Sequence, residues 1–222
     1  ANMAAHETDL LISLGARFDD RVTGRLDEFA SKAKIIHVDI DPTSIAKLVV
    51  PDYPIVGDLK ITVKAMIESI EENEFNDYSN WVELLRDYRE KEPLRYIDSN
   101  EVIKPQWPIQ RVGQILGAKA IISTDVGQHQ MWTAQFYPFS YPRQWITSGG
   151  LGTMGFGLPA AMGVARALKG TDKVSINFTG DGSILMNIQE LMTCVEYELP
   201  VINIILNNNY LGMVRQWQTM FY

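Results

Sequence analysis

The sequence is short of cysteine, of basic charge and of long apolar runs, and each shortage excludes a class of protein. A single cysteine, Cys194, among 222 residues excludes a disulfide scaffold, so we expect a buried, inert thiol. The formal net charge of −7 argues against a nucleic-acid-binding surface, which would be basic. No apolar run approaches the length of a membrane span, and the first residues show no signal-peptide pattern. The composition is that of a globular protein.

Residues 174–209 have the pattern of one strand–helix–strand unit. Apolar runs at 174–178 and 201–206 flank a helical repeat. The repeat consists of Ile188, Leu191, Met192 and Val195. Such a crossover makes the two strands parallel, so both end at the same edge of the sheet. We therefore expect Asp181 and Asn208, which follow the two strands, to lie side by side.

A carboxylate beside an amide oxygen forms half of a site for a hard cation such as Mg²⁺, which takes its other ligands from phosphates and water. The alternative is a pair of parallel strands with polar loop ends and no ligand. Gly180-Asp181-Gly182, followed after the segment 183–206 by Asn207-Asn208, resembles the diphosphate-and-metal motif of thiamine diphosphate enzymes.

The first 60 residues predict an α/β unit with strands at 10–14, 34–40 and 53–56. Ligands of such sheets lie beyond the carboxyl ends of the strands. This places four residues along one ligand-facing edge, namely Gly15, Arg17, Asp39 and Asp58. An acid there can accept hydrogen bonds from ribose or ribityl hydroxyls, although each acid taken alone is better explained as a solvated loop residue.

The middle of the chain predicts helices at 59–73 and 80–91, then a charged, proline-punctuated connection. A second α/β domain follows. Its elements are a helix at 109–116, a strand at 120–123 and a glycine-rich run at 149–157 that leads into a helix at 158–168. In that last helix, Ala160, Ala161 and Gly163 are expected to permit close packing. The predicted fold class is α/β, with two Rossmann-like parallel-sheet domains.

Three further features of the second domain are candidates for ligand binding. The glycine-rich run offers backbone groups at close range, although a tight strand-to-helix turn explains it as well. His129 lies at a strand end beside Gln128 and can donate to a diphosphate oxygen, whereas His6 and His37 are read as structural or solvent-facing. Ser183 opens a helix, where backbone N–H groups favour anions.

Several longer segments carry a more specific resemblance. They are GARFDDRVTG (15–24), VDID (38–41), VGQHQMW (126–132), SGGLGTMGFGLPAA (148–161) and LGMVRQWQ (211–218). Together they look like the catalytic subunits of the acetolactate (acetohydroxyacid) synthase family, over nearly the whole chain. The resemblance implies half of a central FAD-binding domain at 1–75, a helical linker at 76–107 and a thiamine diphosphate-binding domain at 108–222 that lacks its end.

The resemblance also implies residue roles. Mg²⁺ is held by Asp181, Asn208 and the backbone carbonyl of Tyr210. The cofactor's diphosphate is held by Gln128, His129, Gly182 and Ser183. Gly152 accepts from the aminopyrimidine amino group, and Met154 supports the bent cofactor; these two are the catalytic candidates. The FAD site comprises Gly15, Ala16, Arg17, Phe18, Asp19, Asp39 and Asp58. The substrate channel comprises Asp20, Arg21, Met213 and Trp217.

The implied reaction is the condensation of pyruvate with pyruvate or 2-ketobutyrate, with loss of CO₂, in branched-chain amino acid biosynthesis. The implied cofactors are thiamine diphosphate, Mg²⁺ and FAD. The family also implies a dimer or tetramer with active sites across subunits, a regulatory small subunit, and a bacterial cytoplasmic or eukaryotic organellar location. No nucleic-acid or membrane partner is expected.

We expect the chain to be part of a longer polypeptide, because it enters a strand at Leu10 and because Trp217 and Phe221 have no later element to pack on. No segment matches the domain whose glutamate activates the cofactor in this family, so the 222 residues alone are expected to be inactive.

Two alternative functions stay open. One is another thiamine diphosphate carboligase, decarboxylase or oxidase, against which Trp217 argues, because the family links that residue to 2-ketobutyrate preference. The other is a non-catalytic flavin- or nucleotide-binding module.

Overall fold

A computed structural model describes residues 2–71 and 76–222. The chain divides into two compact units, Ala1–Pro93 and Leu94–Tyr222, and each contains one parallel sheet. The predicted α/β fold class with two parallel sheets is therefore confirmed. No helix within the described residues is long and apolar enough to cross a membrane.

The first unit contains a three-stranded sheet in the order β1-β2-β3. Its strands are β1 (Leu10–Leu14), β2 (Lys34–Asp39) and β3 (Tyr53–Val56). Its helices are α1 (Asn2–Glu7), α2 (Asp20–Thr23), α3 (Leu59–Glu71) and α4 (Ser79–Lys91). The last two predicted residues of α3, 72 and 73, lie outside the described residues. His37 in β2 is fully buried, with its ring edge-on to Phe18, so the structural reading of this histidine is confirmed.

The second unit contains a four-stranded parallel sheet in the order β5-β4-β6-β7. Its strands are β4 (Ala120–Thr124), β5 (Trp145–Thr147), β6 (Val174–Gly180) and β7 (Val201–Leu206). Its helices are α5 (Gln106–Leu116), α6 (Gln128–Phe136), α7 (Gly157–Ala167), α8 (Asp181–Ile184), α9 (Glu190–Glu196) and α10 (Gly212–Phe221). The core comprises Ile109, Ala120, Ile122, Tyr137, Ile176 and Phe178.

Three predictions about this unit need correction. The helix between β6 and β7 is not continuous, because a 3₁₀ turn at Leu185–Asn187 separates α8 from α9. Gly163 does not serve close packing, because a Cβ built there would meet nothing within 4 Å. Cys194 is half-buried rather than buried; burial, together with nearby Glu190, raises the pKa of its thiol.

Strand β5 was not predicted, because three residues are too few to show a period. A buried side chain next to it fixes its place. Gln144 is fully buried, its amide nitrogen donates to the carbonyls of Gly117 and Ala120, and its Oε1 accepts from the Ser140 N–H at 2.8 Å. These hydrogen bonds hold the short strand beside β4.

Candidate functional site

The strand register sets the frame of the candidate site. In the β6–β7 pair, Gly180 lies opposite Leu206. Asp181 is the next residue after one strand, and Asn208 follows the other by two. The parallel crossover predicted from the sequence is therefore present, and it brings the carboxylate and the amide to neighbouring strand ends.

Helix α8 begins directly at Asp181, and its first turn is held by Ser183. The buried hydroxyl of Ser183 accepts from the Gly180 N–H at 3.1 Å and lies 3.0 Å from the Thr179 hydroxyl. Next to it, a Cβ on Gly182 would come 2.8 Å from Leu211 Cδ2. The turn is thus fixed by its own side chain, and its backbone lies close to the segment that precedes α10.

An amide network joins α6, the end of β7 and α10. Asn208 donates from Nδ2 to Gln128 Oε1 at 3.2 Å, and Gln128 donates from Nε2 to Gln216 Oε1 at 3.1 Å. The Oδ1 of Asn208 accepts from the Tyr210 N–H at 3.1 Å. A Cβ on Gly212 would collide with Gln128 Oε1 and lie 2.9 Å from Asn208 Nδ2. Glycine therefore lets α10 begin this close to the two amides, and a Cβ there would have to displace them.

His129, in the first turn of α6, is only 6% exposed. Burial lowers the pKa of its imidazole from 6.5 to about 4, and Asp125 and Asp181 oppose this shift only in part. Within the described part of the chain, its Nε2 atom is buried and has no hydrogen-bond partner. The side chain is therefore neutral at pH 7 and carries one unsatisfied polar atom.

Asp125 is a feature that the sequence reasoning passed over. It follows β4, it is 1% exposed, and its carboxylate accepts three backbone N–H groups. These are Val126 and Gly155, both 2.8 Å from Oδ1, and Gly157, 3.0 Å from Oδ2. From the other side, the Asn187 amide donates to the Gly155 carbonyl at 2.6 Å. An acid directly after a fully buried strand was the available signal for Asp125; no comparable signal marked Asn187.

These elements enclose a cavity of about 160 Å³. The predicted site residues that line it are Gln128, His129, Gly152, Met154, Asp181, Gly182, Ser183, Asn208, Tyr210 and Met213. Trp217 is not among the lining residues; it lies on α10 with its ring 4.8 Å from that of Phe221. The cavity thus brings together, within the second unit, residues of the strand–helix–strand motif and residues of the glycine-rich run.

The strand ends of the first unit form a separate edge. The Gly15 N–H donates to the Val38 carbonyl and the Gly57 N–H to the Asp39 carbonyl, which aligns the ends of β1, β2 and β3. Gly15 and Asp58 therefore follow β1 and β3, and Asp39 is the last residue of β2, at the same edge of the sheet.

The other predicted residues of this unit lie in and before α2. Arg17 donates to Asp19 at 3.2 Å, Asp19 caps α2, and Asp20 is its exposed first residue. The side chain of Arg21 lies outside the described part of the structure.

Comparison with known families agrees with this geometry. The model described as thiamine pyrophosphate enzyme, C-terminal TPP binding domain, matches residues 125–222. The model described as thiamine pyrophosphate enzyme, central domain, matches residues 1–66. The chain belongs to the thiamine pyrophosphate enzyme family, and thiamine diphosphate is the cofactor that this family binds.

Among curated proteins, the chain is similar to acetolactate synthases, which confirms the resemblance. It is 48% identical over 226 residues to acetolactate synthase isozyme 3 large subunit of Escherichia coli (strain K12), covering 100% of this chain and 39% of the relative. It is 51% identical over 223 residues to acetolactate synthase 2, chloroplastic, of Brassica napus, covering 100% of this chain and 35% of the relative. The chain thus spans well under half the length of these relatives, which come from bacteria and from chloroplasts.

Proposed function

We propose that the second unit binds the diphosphate end of thiamine diphosphate through Mg²⁺, and that the whole protein is an acetolactate synthase. The reaction is the condensation of pyruvate with pyruvate or 2-ketobutyrate to 2-acetolactate or 2-aceto-2-hydroxybutyrate, with release of CO₂. The observation that carries the proposal is the β6–β7 register, which places Asp181 and Asn208 at neighbouring strand ends in one cavity with Gln128 and His129.

The donor set of the cavity fits Mg²⁺. Asp181 supplies a carboxylate, Asn208 an amide oxygen and Tyr210 a backbone carbonyl, and Mg²⁺ takes its remaining ligands from phosphate oxygens and water. The described residues contain no group of three His, Cys, Asp or Glu side chains placed for a metal, which suits an ion that needs few protein ligands. The cavity is therefore suited to a diphosphate-bound Mg²⁺ rather than to a metal held by protein alone.

The diphosphate itself would lie against Gln128, His129 and the start of α8. The first turn of a helix presents backbone N–H groups that favour anions, here at Gly182 and Ser183. The unsatisfied Nε2 of His129 is a further polar atom beside this position. Glycine at 182 and 212 lets Leu211 and Gln128 lie close to the backbone beside this position, because a Cβ at either glycine would collide with them.

At the other end of the cavity, Gly152 and Met154 would contact the thiamine. The Gly152 carbonyl is proposed to accept from the aminopyrimidine amino group, and the Met154 side chain to support the bent shape of the cofactor. When bound, thiamine diphosphate supplies the electron sink for decarboxylation and carbon–carbon bond formation. The protein supplies orientation and excludes water.

In the first unit, we propose an FAD site at the carboxyl edge of the sheet. Its residues are Gly15, Ala16, Arg17, Phe18, Asp19, Asp39 and Asp58. The alignment of the three strand ends supports this proposal, since ligands of parallel sheets lie beyond such ends.

The substrate channel is proposed to include Asp20, Arg21, Met213 and Trp217. The proposed assembly is a homodimer or homotetramer, and a regulatory small subunit is proposed as a further partner.

Titration of the purified chain with thiamine diphosphate tests the cofactor site. Trp132 lines the cavity, so we expect Mg²⁺-dependent quenching of tryptophan fluorescence. Asp181→Asn should weaken this binding at least about tenfold, since each 1.4 kcal/mol of lost binding is a factor of ten. Asp172→Asn is the matched control, because Asp172 is exposed and pairs with Lys119 at the opposite strand ends. Quenching that needs no Mg²⁺, or that Asp181→Asn leaves unchanged, would contradict the proposed site and favour a binding module for another ligand.

A further inference from the structure

Both backbone polar groups of Gly155, its N–H and its carbonyl, form hydrogen bonds with side chains that are buried or half-buried. Its N–H donates to Asp125 Oδ1 at 2.8 Å, and its carbonyl accepts from Asn187 Nδ2 at 2.6 Å. Two residues further on, the Gly157 N–H donates to the second oxygen of Asp125 at 3.0 Å. One carboxylate and one amide thus fix the path of the glycine-rich loop immediately after Gly152 and Met154.

The glycines of this loop match the two holding groups closely. Gly155 has φ +91°, a left-handed conformation that favours glycine, and a Cβ there would lie 2.8 Å from Asn187 Nδ2. A Cβ on Gly157 would lie 2.7 Å from the Asp125 backbone nitrogen. The loop is therefore pressed against both Asp125 and Asn187, and a side chain at either glycine would push it away.

Neither side chain lines the cavity, so neither contacts a ligand there directly. Asp125 directly follows β4, and Asn187 is the last residue of the 3₁₀ turn that interrupts the helix between β6 and β7. The two therefore connect the loop to the rigid sheet on one side and to the α8 segment, which carries Asp181, on the other.

We propose that Asp125 and Asn187 are positioning residues that place Gly152 and Met154 against the thiamine end of the cofactor. This inference rests on the proposed function, because it assumes that the thiamine lies at this loop. If Asp125 and Asn187 position the loop, loosening the loop should weaken binding of the thiamine end of the cofactor and leave binding of the diphosphate end, at α8 and Asn208, unchanged.

Paired titrations with two probes test this claim. Mg²⁺ with thiamine diphosphate reports both ends of the cavity, and Mg²⁺ with inorganic diphosphate reports only the diphosphate end. Asp125→Asn puts an N–H₂ group where a backbone N–H needs an acceptor, so thiamine diphosphate affinity should fall at least about tenfold, the range for hydrogen bonds to charged groups. Asn187→Ala removes a single neutral hydrogen bond and should lower it about fivefold. Inorganic diphosphate affinity should change less than about twofold in both variants, and Asp172→Asn should change neither.

Hydrogen exchange of the ligand-free chain provides a readout that does not depend on the cofactor. The amides of Gly155 and Gly157 should exchange faster in Asp125→Asn, whereas the β4 and β6 amides should keep the protection of the parent chain. Because Asn187 is half-buried, Asn187→Ala keeps the test open if Asp125→Asn does not fold.

The outcomes separate the two proposals. Unchanged exchange at Gly155 and Gly157, or equal loss of both probes in either folded variant, overturns the positioning role. A parent chain that binds inorganic diphosphate and thiamine diphosphate equally well also overturns it, while leaving the diphosphate site intact. A parent chain that binds neither probe removes the proposed function itself, although the exchange measurement still reports whether Asp125 holds the loop.

Discussion

Single residues at the site owe their properties to burial more than to their chemical type. Burial lowers the pKa of the His129 imidazole to about 4, even though two carboxylates lie close enough to favour its charged form. Asp125, which is 1% exposed, instead accepts hydrogen bonds from three backbone N–H groups. The sequence predicted His129 as a ligand. Asp125 was passed over although it directly follows a strand, because its contact with Gly155, 30 residues away in sequence, leaves no local pattern.

The lowered pKa of His129 predicts a loss of stability in mild acid. Between pH 6.5 and about 4 the unfolded chain binds a proton at His129 that the folded chain does not, so the free energy of unfolding falls as pH falls through this window. From pH 7 to pH 5 the contribution is ~2 kcal/mol. Denaturant unfolding of the metal-free parent and of His129→Gln, at both pH values, measures it. The parent should lose this amount relative to the variant, and parallel losses would contradict the prediction.

At the scale of secondary-structure elements, the ends of helices and strands determine the positions of the residues that are proposed to bind the cofactor. Helix α7 begins at Gly157 against Asp125 and Asn177 and runs to Ala167. Its small residues are not equivalent: Ala161 is fully buried, and its carbonyl accepts from the Ser175 hydroxyl at 2.8 Å, whereas Gly163 is exposed. The apolar pattern predicted the helix, but which glycine is packed depends on the strands beneath it.

Two glycine-to-alanine substitutions in α7 should therefore have opposite effects. In Gly157→Ala the new Cβ would lie 2.7 Å from both Asp125 N and Asn177 Oδ1, atoms that cannot move aside easily, so stability should fall by about 1–3 kcal/mol. In Gly163→Ala the Cβ meets nothing, and the higher helix propensity of alanine should raise stability by about 0.5–1 kcal/mol. Thermal or denaturant unfolding of the two variants compares them directly. If both substitutions change the free energy of unfolding by the same amount and in the same direction, the close contacts of Gly157 with Asp125 and Asn177 are not the reason for glycine at that position.

At the scale of the whole molecule, the chain contains two parallel sheets, each with a proposed ligand site at one edge, and it spans well under half the length of the relatives that it matches. The cavity at β6 and β7 is formed by the second unit alone. Diphosphate binding can therefore be tested within these 222 residues, whereas the family resemblance implies that catalysis also needs a group from another domain.

We predict that a polypeptide limited to these 222 residues forms no acetolactate from pyruvate, even with thiamine diphosphate, Mg²⁺ and FAD supplied. The physical reason is that the family resemblance assigns cofactor activation to a glutamate of a domain that no segment here matches. A colorimetric assay for acetolactate, run beside the full-length protein, checks this. Mg²⁺-dependent diphosphate binding by the same preparation shows that the second unit is folded, and product formation by the short chain would refute the prediction.

The sequence by itself determined the fold class, the parallel β6–β7 pair and the family, because these depend on local periodicity and on motifs whose spacing is a property of the chain. It also placed Asp181 and Asn208 together, since a parallel crossover allows no other edge. Only the tertiary structure decided that Gln128 bridges Asn208 and α10, that burial lowers the pKa of His129, and that Asp125 and Asn187 form hydrogen bonds with Gly155. Each of these depends on burial or on contact between distant segments, which are created when the sheet and its helices pack and which no local pattern records.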